Sequence, residues 1–219
     1  MDPLAVLEGA AEEPAVPSGD DLATYRRMAV QLNHQLQEVP APRSVLVTAP
    51  TDASAPAHAA VALARCMGEE LRLRVLLVDA SPRAEVSRMM GCADDAGFAE
   101  MLDDPSRDLD GLLLATTVES VRLLPAGTLG GLTRLNAAAD PSGVLQRLKD
   151  AADLIVISAG SVLGETAAVG LAPFASAVIL VPVENETLAE DLDMAQYALR
   201  MCKARRIGIL MASAAREGR

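Results

Sequence analysis

The residues between Thr48 and His58 occupy the position of a phosphate-binding loop, directly after an apolar run and directly before a helical pattern. Such loops carry the pattern GxxxxGK[ST]. Its glycines let backbone N–H groups approach phosphate, its lysine reaches the terminal phosphates and its hydroxyl holds Mg²⁺. The stretch here reads TAPTDASAPAH and has neither glycine nor lysine. The position is therefore right for phosphate chemistry, but the residues that perform it are missing.

Other polar residues near predicted strand ends give weaker signals of chemistry. Asp79 ends a second apolar run, and a carboxylate there could hold a metal, although we favour a structural hydrogen bond at the strand end. Ser54 and Ser158 could serve as nucleophiles, but the only candidate bases are His34 and His58, and no histidine–acid pair is apparent. We therefore predict no hydrolytic triad.

The elements that must position these residues form a βαβ unit over residues 44–83. Residues 45–47 and 75–78 are short, continuous apolar runs, which is typical of parallel strands covered on both faces. Between them, apolar residues recur at helical spacing: Ala59, Ala60, Leu63, Ala64 and Met67. Asp52 or Ser54 is the expected N-cap of this helix and would keep the turn folded without a ligand. His58 is expected to cap the helix or to lie partly exposed.

The rest of the chain alternates between helical and strand patterns. An amphipathic helix is predicted over residues 22–36, with Asp20 or Asp21 as its cap. Further predicted elements are two short helices in 83–104 broken at Gly91 and Gly97, a strand at 121–124, a loop at 127–141, a helix from Pro141, a strand at 154–157, a turn at 158–164, a helix at 165–174, a strand at 177–181, a helix at 188–202 and a strand at 207–211. This alternation predicts an α/β fold, a doubly wound, mostly parallel sheet with helices on both faces.

Composition supports one domain with an aliphatic core. The chain has 219 residues, of which 51% are hydrophobic, with no Trp, two Phe and two Tyr. We predict a single domain at 20–219, preceded by a mobile acidic leader at 1–19. The net charge of −11 disfavours a nucleic-acid surface. A basic cluster (Arg200, Lys203, Arg205, Arg206) is interpreted as a solvated helix end, with a nucleic-acid contact as the alternative.

Cysteine usage and hydropathy suggest a location. Cys66, Cys92 and Cys202 are far apart and odd in number, which fits neither a zinc site nor a disulfide framework and favours a reducing cytosol. No run reaches about 18 apolar residues, and the N-terminus lacks a signal-peptide pattern. We therefore expect a cytoplasmic protein that contacts a membrane only through a partner.

Four segments together resemble one family. They are VLLVD ending at Asp79, Arg83 four residues later, LLPAG at 123–127 and DLIVISAG at 153–160. They resemble the cytoplasmic domain of the bacterial tyrosine kinases of capsule and exopolysaccharide export, relatives of the MinD and ParA ATPases. The resemblance covers residues 22–211 and implies a fold like that of the P-loop NTPases. It also implies a partner, the cytoplasmic part of an inner-membrane polysaccharide copolymerase.

The family's first motif, Walker A, is altered at each functional position. Its glycine positions fall on Ala53 and Ala55, its lysine on Pro56 and its Mg²⁺-binding hydroxyl on Ala57. Proline removes a backbone donor as well as the lysine charge, and Asp52 adds a carboxylate where phosphate would lie. By resemblance, this loop is a degenerate Walker A motif.

The family's other motifs are also altered. In the second, Asp79 and Arg83 are kept but Ser81 replaces an aspartate, and the Walker B aspartate falls on Ser158. An adenine-reading asparagine is absent near position 212, and the oligomerisation motif ExxRxxR keeps only Arg26. A C-terminal tyrosine cluster is absent too. The motifs have thus changed while the apolar strands around them have not.

These observations predict a pseudokinase with no catalytic, metal-binding or cofactor-binding residues and no cofactor. We expect a scaffold or regulator of envelope polysaccharide synthesis (capsule, exopolysaccharide or holdfast), and possible homo-oligomers. The candidate contact surfaces are the helix at 22–36 and the region 83–104, with Met89 and Met90 as a surface patch. One alternative is a divergent tyrosine kinase that positions its metal with Asp52, Asp79 or Glu165. The other is a MinD-like or ParA-like regulatory module.

Overall fold

The computed structural model describes residues 19–40, 43–51, 54–128 and 141–213, and its elements follow the alternating pattern of the sequence. In chain order they are α1 (Gly19–Leu36), β1 (Arg43–Ala49), α2 (Ala55–Leu71), β2 (Val75–Asp79), α3 (Glu85–Met89), α4 (Phe98–Asp103), β3 (Leu114–Ala115), β4 (Val121–Leu124), α5 (Ser142–Leu148), β5 (Leu154–Ser161), α6 (Thr166–Leu171), a 3₁₀ turn (Ala172–Phe174), β6 (Ala177–Leu180), α7 (Ala189–Met201) and β7 (Ile207–Ile209).

The strands form one sheet in the order β3-β4-β2-β5-β1-β6-β7. All neighbouring pairs are parallel except β3 and β4, which are antiparallel. The central strand β5 lies between β2 and β1, so three apolar runs of the sequence are adjacent in space. The predicted fold class, a mostly parallel sheet in a single domain, is confirmed.

Helices cover both faces of the sheet and explain why its strands are apolar throughout. On one face α1 and α2 pack over Val45, Val47 and Val156. On the other face α4 to α7 pack over Leu46 and Ile157. The amphipathic helix predicted at 22–36 is confirmed as α1, which buries four residues on its inner face: Tyr25, Ala29, Leu32 and Leu36. Full burial of one such leucine stabilises the fold by about 1.5–3 kcal/mol.

The structure differs from the sequence-based expectations at several places. The predicted turn at 158–164 is wrong at its start, because β5 runs on to Ser161 and the chain then continues alongside the β1 loop. Since α1 begins at Gly19, Asp20 and Asp21 lie in its first turn and neither is the N-cap. The antiparallel β3 was not expected. The leader at 1–19, apart from Gly19, and positions 129–140 of the loop at 127–141 lie outside the described residues.

Hydropathy gives one further result. Within the described ranges, every helix is too short or too polar to cross a lipid bilayer.

Candidate functional site

The candidate residues meet at the carboxyl ends of the three central strands. Ser158 of β5 pairs in register with Asp79 of β2 on one side and with Val47 of β1 on the other. The loop that follows β1 and the start of α2 adjoin this edge. In open α/β sheets, ligands bind in the crevice outside the carboxyl ends of the strands. The candidates Asp79 and Ser158 and the described part of the loop after β1 therefore lie together at this edge, whereas Asp52 and Ala53 lie outside the described residues.

The start of α2 has few N–H groups left for an anion. Pro56 has no N–H, and the N–H groups of Ala57 and His58 donate to the Ser54 carbonyl at 3.0 and 3.3 Å. The His58 ring adds a third contact, with Nδ1 3.2 Å from the same oxygen. Ser54 occupies the N-cap position as predicted, but its side chain makes no capping hydrogen bond. Phosphate binding at a helix N-terminus depends on the N–H groups that the helix itself leaves unpaired. The His58 bond is the ordinary i→i−4 bond of a helix, so the donors lost at this first turn are the missing one of Pro56 and the paired one of Ala57.

Asp79 is fully buried and accepts four hydrogen bonds. Its Oδ1 accepts from the backbone N–H and hydroxyl of Ser81, at 3.0 and 2.8 Å. Its Oδ2 accepts from the backbone N–H and hydroxyl of Ser87, both at 2.8 Å. A carboxylate has about four lone-pair directions, so these donors occupy its acceptor capacity. In this arrangement the carboxylate fixes the chain after β2.

The two serine hydroxyls extend this network to neighbouring segments. The Ser81 hydroxyl accepts the Glu85 N–H at 2.9 Å, at the start of α3. The Ser87 hydroxyl accepts the Ala126 N–H at 2.9 Å, in the loop after β4. The sequence offered no signal for Ser87, because its link to Asp79 depends on the turn into α3. Asp79 thus holds the ends of β2 and β4 and the start of α3 together.

The LLPAG segment supports the first turn of α4. The Pro125 and Ala126 carbonyls accept the N–H groups of Phe98 and Ala99 at 2.8 and 3.0 Å. A Cβ on Gly97 would lie 2.0 Å from the Pro125 oxygen, so this approach requires glycine. The segment that carried the resemblance therefore has a structural role here.

Glu100 fixes the end of the same segment. Its carboxylate accepts the Gly97 N–H at 2.7 Å and the N–H and hydroxyl of Thr128 at 3.0 and 2.8 Å. Partial burial raises the pKa of Glu100, but these hydrogen bonds outweigh that effect and the net pKa is lowered. The charged carboxylate is therefore the form that the loop stabilises.

Ser158 contrasts with Asp79. Its side chain is fully buried, and its hydroxyl has no hydrogen-bond partner in the described part of the chain. The neighbouring hydroxyl of Thr48 is satisfied, because it donates to the Gly160 carbonyl at 2.7 Å. A buried polar group without a partner costs about 1–3 kcal/mol. Ser158 is thus a polar group that the fold itself does not use.

Glu165 lies against the backbone of the β5 end. A Cβ built on Gly160 would come within 1.6 Å of Glu165 Oε2, so the carboxylate occupies the space beside this glycine. Oε2 accepts the Ser161 N–H at 3.3 Å, and Oε1 lies 3.6 Å from Arg83 Nε. The Glu165 side chain is 12% exposed and that of Arg83 is 50% exposed. This ion pair joins the loops that follow β2 and β5 at the mouth of the crevice.

The remaining candidates from the sequence contribute to packing and not to a chemical site. The Cys92 thiol donates to the Ser87 carbonyl, and burial raises its pKa to about 11, with further contributions from the Asp95 and Asp79 carboxylates. It is therefore protonated at neutral pH and a poor nucleophile. Met89 and Met90 are half-buried against the core, so the expectation of a methionine surface patch there is wrong. Across the four described ranges, no three His, Cys, Asp or Glu side chains cluster as metal ligands would.

Comparison with solved structures shows which fold surrounds this site. The kinase domain of the Escherichia coli tyrosine kinase ETK superposes with a TM-score of 0.79 at 15% identity, over 94% of this chain and 80% of that one. The BceF tyrosine kinase domain gives 0.73 at 22% identity, over 88% and 77%. A plasmid partition protein from Borrelia burgdorferi gives 0.62 at 16%, over 81% and 83%.

The chain has the fold of these kinase domains. No family model matches its sequence, and no curated protein matches it either. At these identities the likeness shows the kinase-domain fold alone. The resemblance to bacterial tyrosine kinase domains, inferred from the sequence, is therefore confirmed for the fold. The roles assigned to Ala55, Pro56, Ala57, Ser81 and Ser158 by resemblance stay predictions.

Proposed function

We propose that this chain is a non-catalytic scaffold or regulator built on the kinase-domain fold. It would act in bacterial envelope polysaccharide synthesis and export, of the capsule, exopolysaccharide or holdfast type. It would bind the cytoplasmic part of an inner-membrane copolymerase and reach the membrane only through that partner. The sequence resemblance supports this setting, and the likeness to solved tyrosine kinase domains supports the fold on which it is built.

The observation that carries the proposal is the saturation of the polar groups that a nucleotide would need. Pro56 offers no N–H, and that of Ala57 donates to the Ser54 carbonyl. Asp79, the carboxylate kept from the family's motif, accepts four hydrogen bonds from Ser81 and Ser87. A nucleotide with Mg²⁺ would have to break these bonds before forming its own.

One alternative is supported by a specific observation. Ser158 carries an unsatisfied buried hydroxyl, and Arg83 and Glu165 face each other at the same crevice. A divergent kinase or ATPase could use these groups on the β5 side, with Asp79 merely structural. This alternative predicts saturable nucleotide binding that depends on Arg83. The partition-protein neighbour favours the third reading, a regulatory module of the MinD or ParA type, only at the level of fold.

Calorimetric titration with Mg-ATP and Mg-ADP tests the proposal directly. We expect no saturable heat up to millimolar nucleotide and no change in melting temperature on the same sample. Saturable binding would contradict the proposal, and loss of that binding in Arg83→Ala would support the divergent enzyme. Arg107→Ala is the matched control, since Arg107 is exposed and lies in the loop between α4 and β3.

The partner is tested by co-purification with the cytoplasmic segments of a copolymerase from the same genome. The inner face of α1 is buried against α2, so only its outer face, with Arg27, Val30 and His34, is available. We expect Val30→Asp to abolish capture, while Leu188→Asp, an exposed change elsewhere, leaves it intact. Absence of capture with the wild-type chain would remove the main support for a polysaccharide role.

A further inference from the structure

Helix α7 presents an apolar stripe to solvent. Met194, Tyr197 and Met201 are 58%, 65% and 65% exposed and follow the spacing that places residues on one helix face. The opposite face is used by the fold, since Ala195 and Leu199 are fully buried against the sheet. The exposure of Met194, Tyr197 and Met201 shows that the stripe is a surface feature.

The same face is acidic at one end and basic at the other. Glu190 and Asp193 lie in the first turns of α7, while Arg200 lies in its last turn and Lys203 directly follows the helix. All four are exposed, and within the described chain none of them takes part in an ion pair. Arg200 makes only a 3.3 Å hydrogen bond to Gln196.

We propose that the α7 face binds a second copy of this chain, with the two α7 helices antiparallel across a two-fold axis. An antiparallel copy places Asp193 opposite Arg200 and Glu190 opposite Lys203. The Asp193–Arg200 pairing places the midpoint between positions 196 and 197, and Lys203, two residues beyond the end of α7, lies at the same end as Arg200 and therefore at the Glu190 end of the copy. Tyr197 then lies at the axis, and Met194 and Met201 flank it on either side. Such an isologous contact requires a self-complementary surface, and this face is one.

Charge selects a second copy over other occupants. A uniformly acidic or basic partner would match one end of the face and be repelled by the other, whereas an antiparallel copy matches both ends. The net charge of −11 opposes self-association in general, so local complementarity must provide the attraction. A helix of 13 residues is about 20 Å long. The contact is therefore small, and the dimer is of the dissociable kind.

Sedimentation velocity of the full chain over a concentration series tests this arrangement. We expect a monomer–dimer equilibrium in the wild type that weakens at high salt, because the ion pairs are exposed. Asp193→Arg faces Arg200 of the other copy with a like charge, and Arg200→Asp faces Asp193 in the same way. Each single variant should lose about tenfold or more in dimer affinity, since two symmetric pairs become repulsive.

Mixing the two single variants is the decisive step. In the mixed dimer, each substituted position faces an opposite charge, so equimolar Asp193→Arg and Arg200→Asp should form heterodimers more tightly than either variant forms homodimers. Glu119→Arg, with the same charge change at an exposed site after β3, should behave as the wild type. Circular dichroism confirms that each variant is folded.

Two outcomes would overturn the inference. The first is a wild-type chain that remains monomeric throughout the series. The second is a dimer that neither reversal weakens, which would place the contact elsewhere. Neither outcome involves nucleotide or the copolymerase, so this test succeeds or fails independently of the proposed function.

Discussion

The ends of β2 and β5 lie side by side on the same edge of the sheet, yet their buried polar side chains differ in hydrogen bonding. At the β2 end, Asp79 accepts four hydrogen bonds, and Ser81 and Ser87 pass the network on to backbone groups. At the β5 end, Ser158 is equally buried, and its hydroxyl has no partner in the described chain.

The two buried side chains therefore differ in what they do for the fold. The Asp79 carboxylate holds other segments by hydrogen bonds, whereas the Ser158 hydroxyl bonds to none of the described residues. The hydrogen bonds of Asp79 join segments far apart in sequence, so its retention needs no ligand. Ser158 replaces a metal-organising carboxylate according to the resemblance, and nothing in the described fold has taken up its hydroxyl. Substitutions at the two ends should separate these roles by their effect on stability.

The largest effect is expected for Asp79→Ala. Removal of the carboxylate leaves the N–H and hydroxyl donors of Ser81 and Ser87 buried without an acceptor, and we expect a loss of about 3–4 kcal/mol in the free energy of unfolding. Urea unfolding followed by circular dichroism measures it. Asp95→Ala, an exposed aspartate in the loop after α3, should change stability little. A loss below about 1 kcal/mol would contradict the structural role of Asp79.

Ser87→Ala should have the next largest effect, about 1–3 kcal/mol, because it removes one donor to Asp79 and the acceptor of the Ala126 N–H. The same urea experiment measures it. Combined with Asp79→Ala, the losses should be less than additive, since both changes break one network. Fully additive losses would mean that the two side chains act independently and that the network is not a unit.

The comparison also shows how far the sequence could predict this edge. Apolar runs at 45–47 and 75–78 predicted the strands, and parallel pairing then brought Asp79, Ser158 and the β1 loop together. The partners of Asp79 could not be read from the sequence. Ser87 reaches Asp79 only because the chain turns into α3 with Ala84 at φ 51°. No local pattern encodes such a contact.

Other errors have the same origin, in interactions between distant segments. The first part of the turn predicted at 158–164 is strand, because Ser158 pairs with both Val47 and Asp79 and Ser161 pairs with Ala49. Met194, Tyr197 and Met201 share one face of α7, but apolar residues at helical spacing do not by themselves show whether their face meets the sheet or the solvent. Ala195 and Leu199 took the inner side, and the methionine stripe was left outside.

Ser158→Ala sharpens the comparison from the β5 end. Because the hydroxyl is buried without a partner, its removal should leave stability unchanged or raise it by about 1 kcal/mol, the opposite sign to Ser87→Ala. Urea unfolding of the two alanine variants side by side gives the contrast. A loss as large as that of Ser87→Ala would show that Ser158 does have a structural partner, and the distinction between the two strand ends would fail.

The smallest effect is expected at the opposite edge of the same two strands. Arg74 precedes β2 and Asp153 precedes β5. Their side chains form an exposed ion pair with Nη2 2.7 Å from Oδ1, and the Arg74 N–H also donates to Oδ2 at 3.0 Å. The hydrogen bonds from Arg74 lower the pKa of Asp153 below its ordinary value of 3.8. The ionised carboxylate therefore stabilises the fold above the unfolded-state pKa, and this contribution disappears as pH falls through the lower folded-state pKa.

Asp153→Asn should accordingly lower the urea midpoint slightly at neutral pH, and its difference from the wild type should shrink as the pH falls toward about 3. Solvent screening of an exposed pair keeps the effect small. Urea midpoints of both proteins across this range, with Asp94→Asn as an exposed control, provide the measurement. A difference in urea midpoint that stayed constant with pH would mean that the charge of Asp153 does not determine how much this pair contributes to stability. In that case, solvent exposure would not explain why Asp153 contributes less to stability than the buried Asp79.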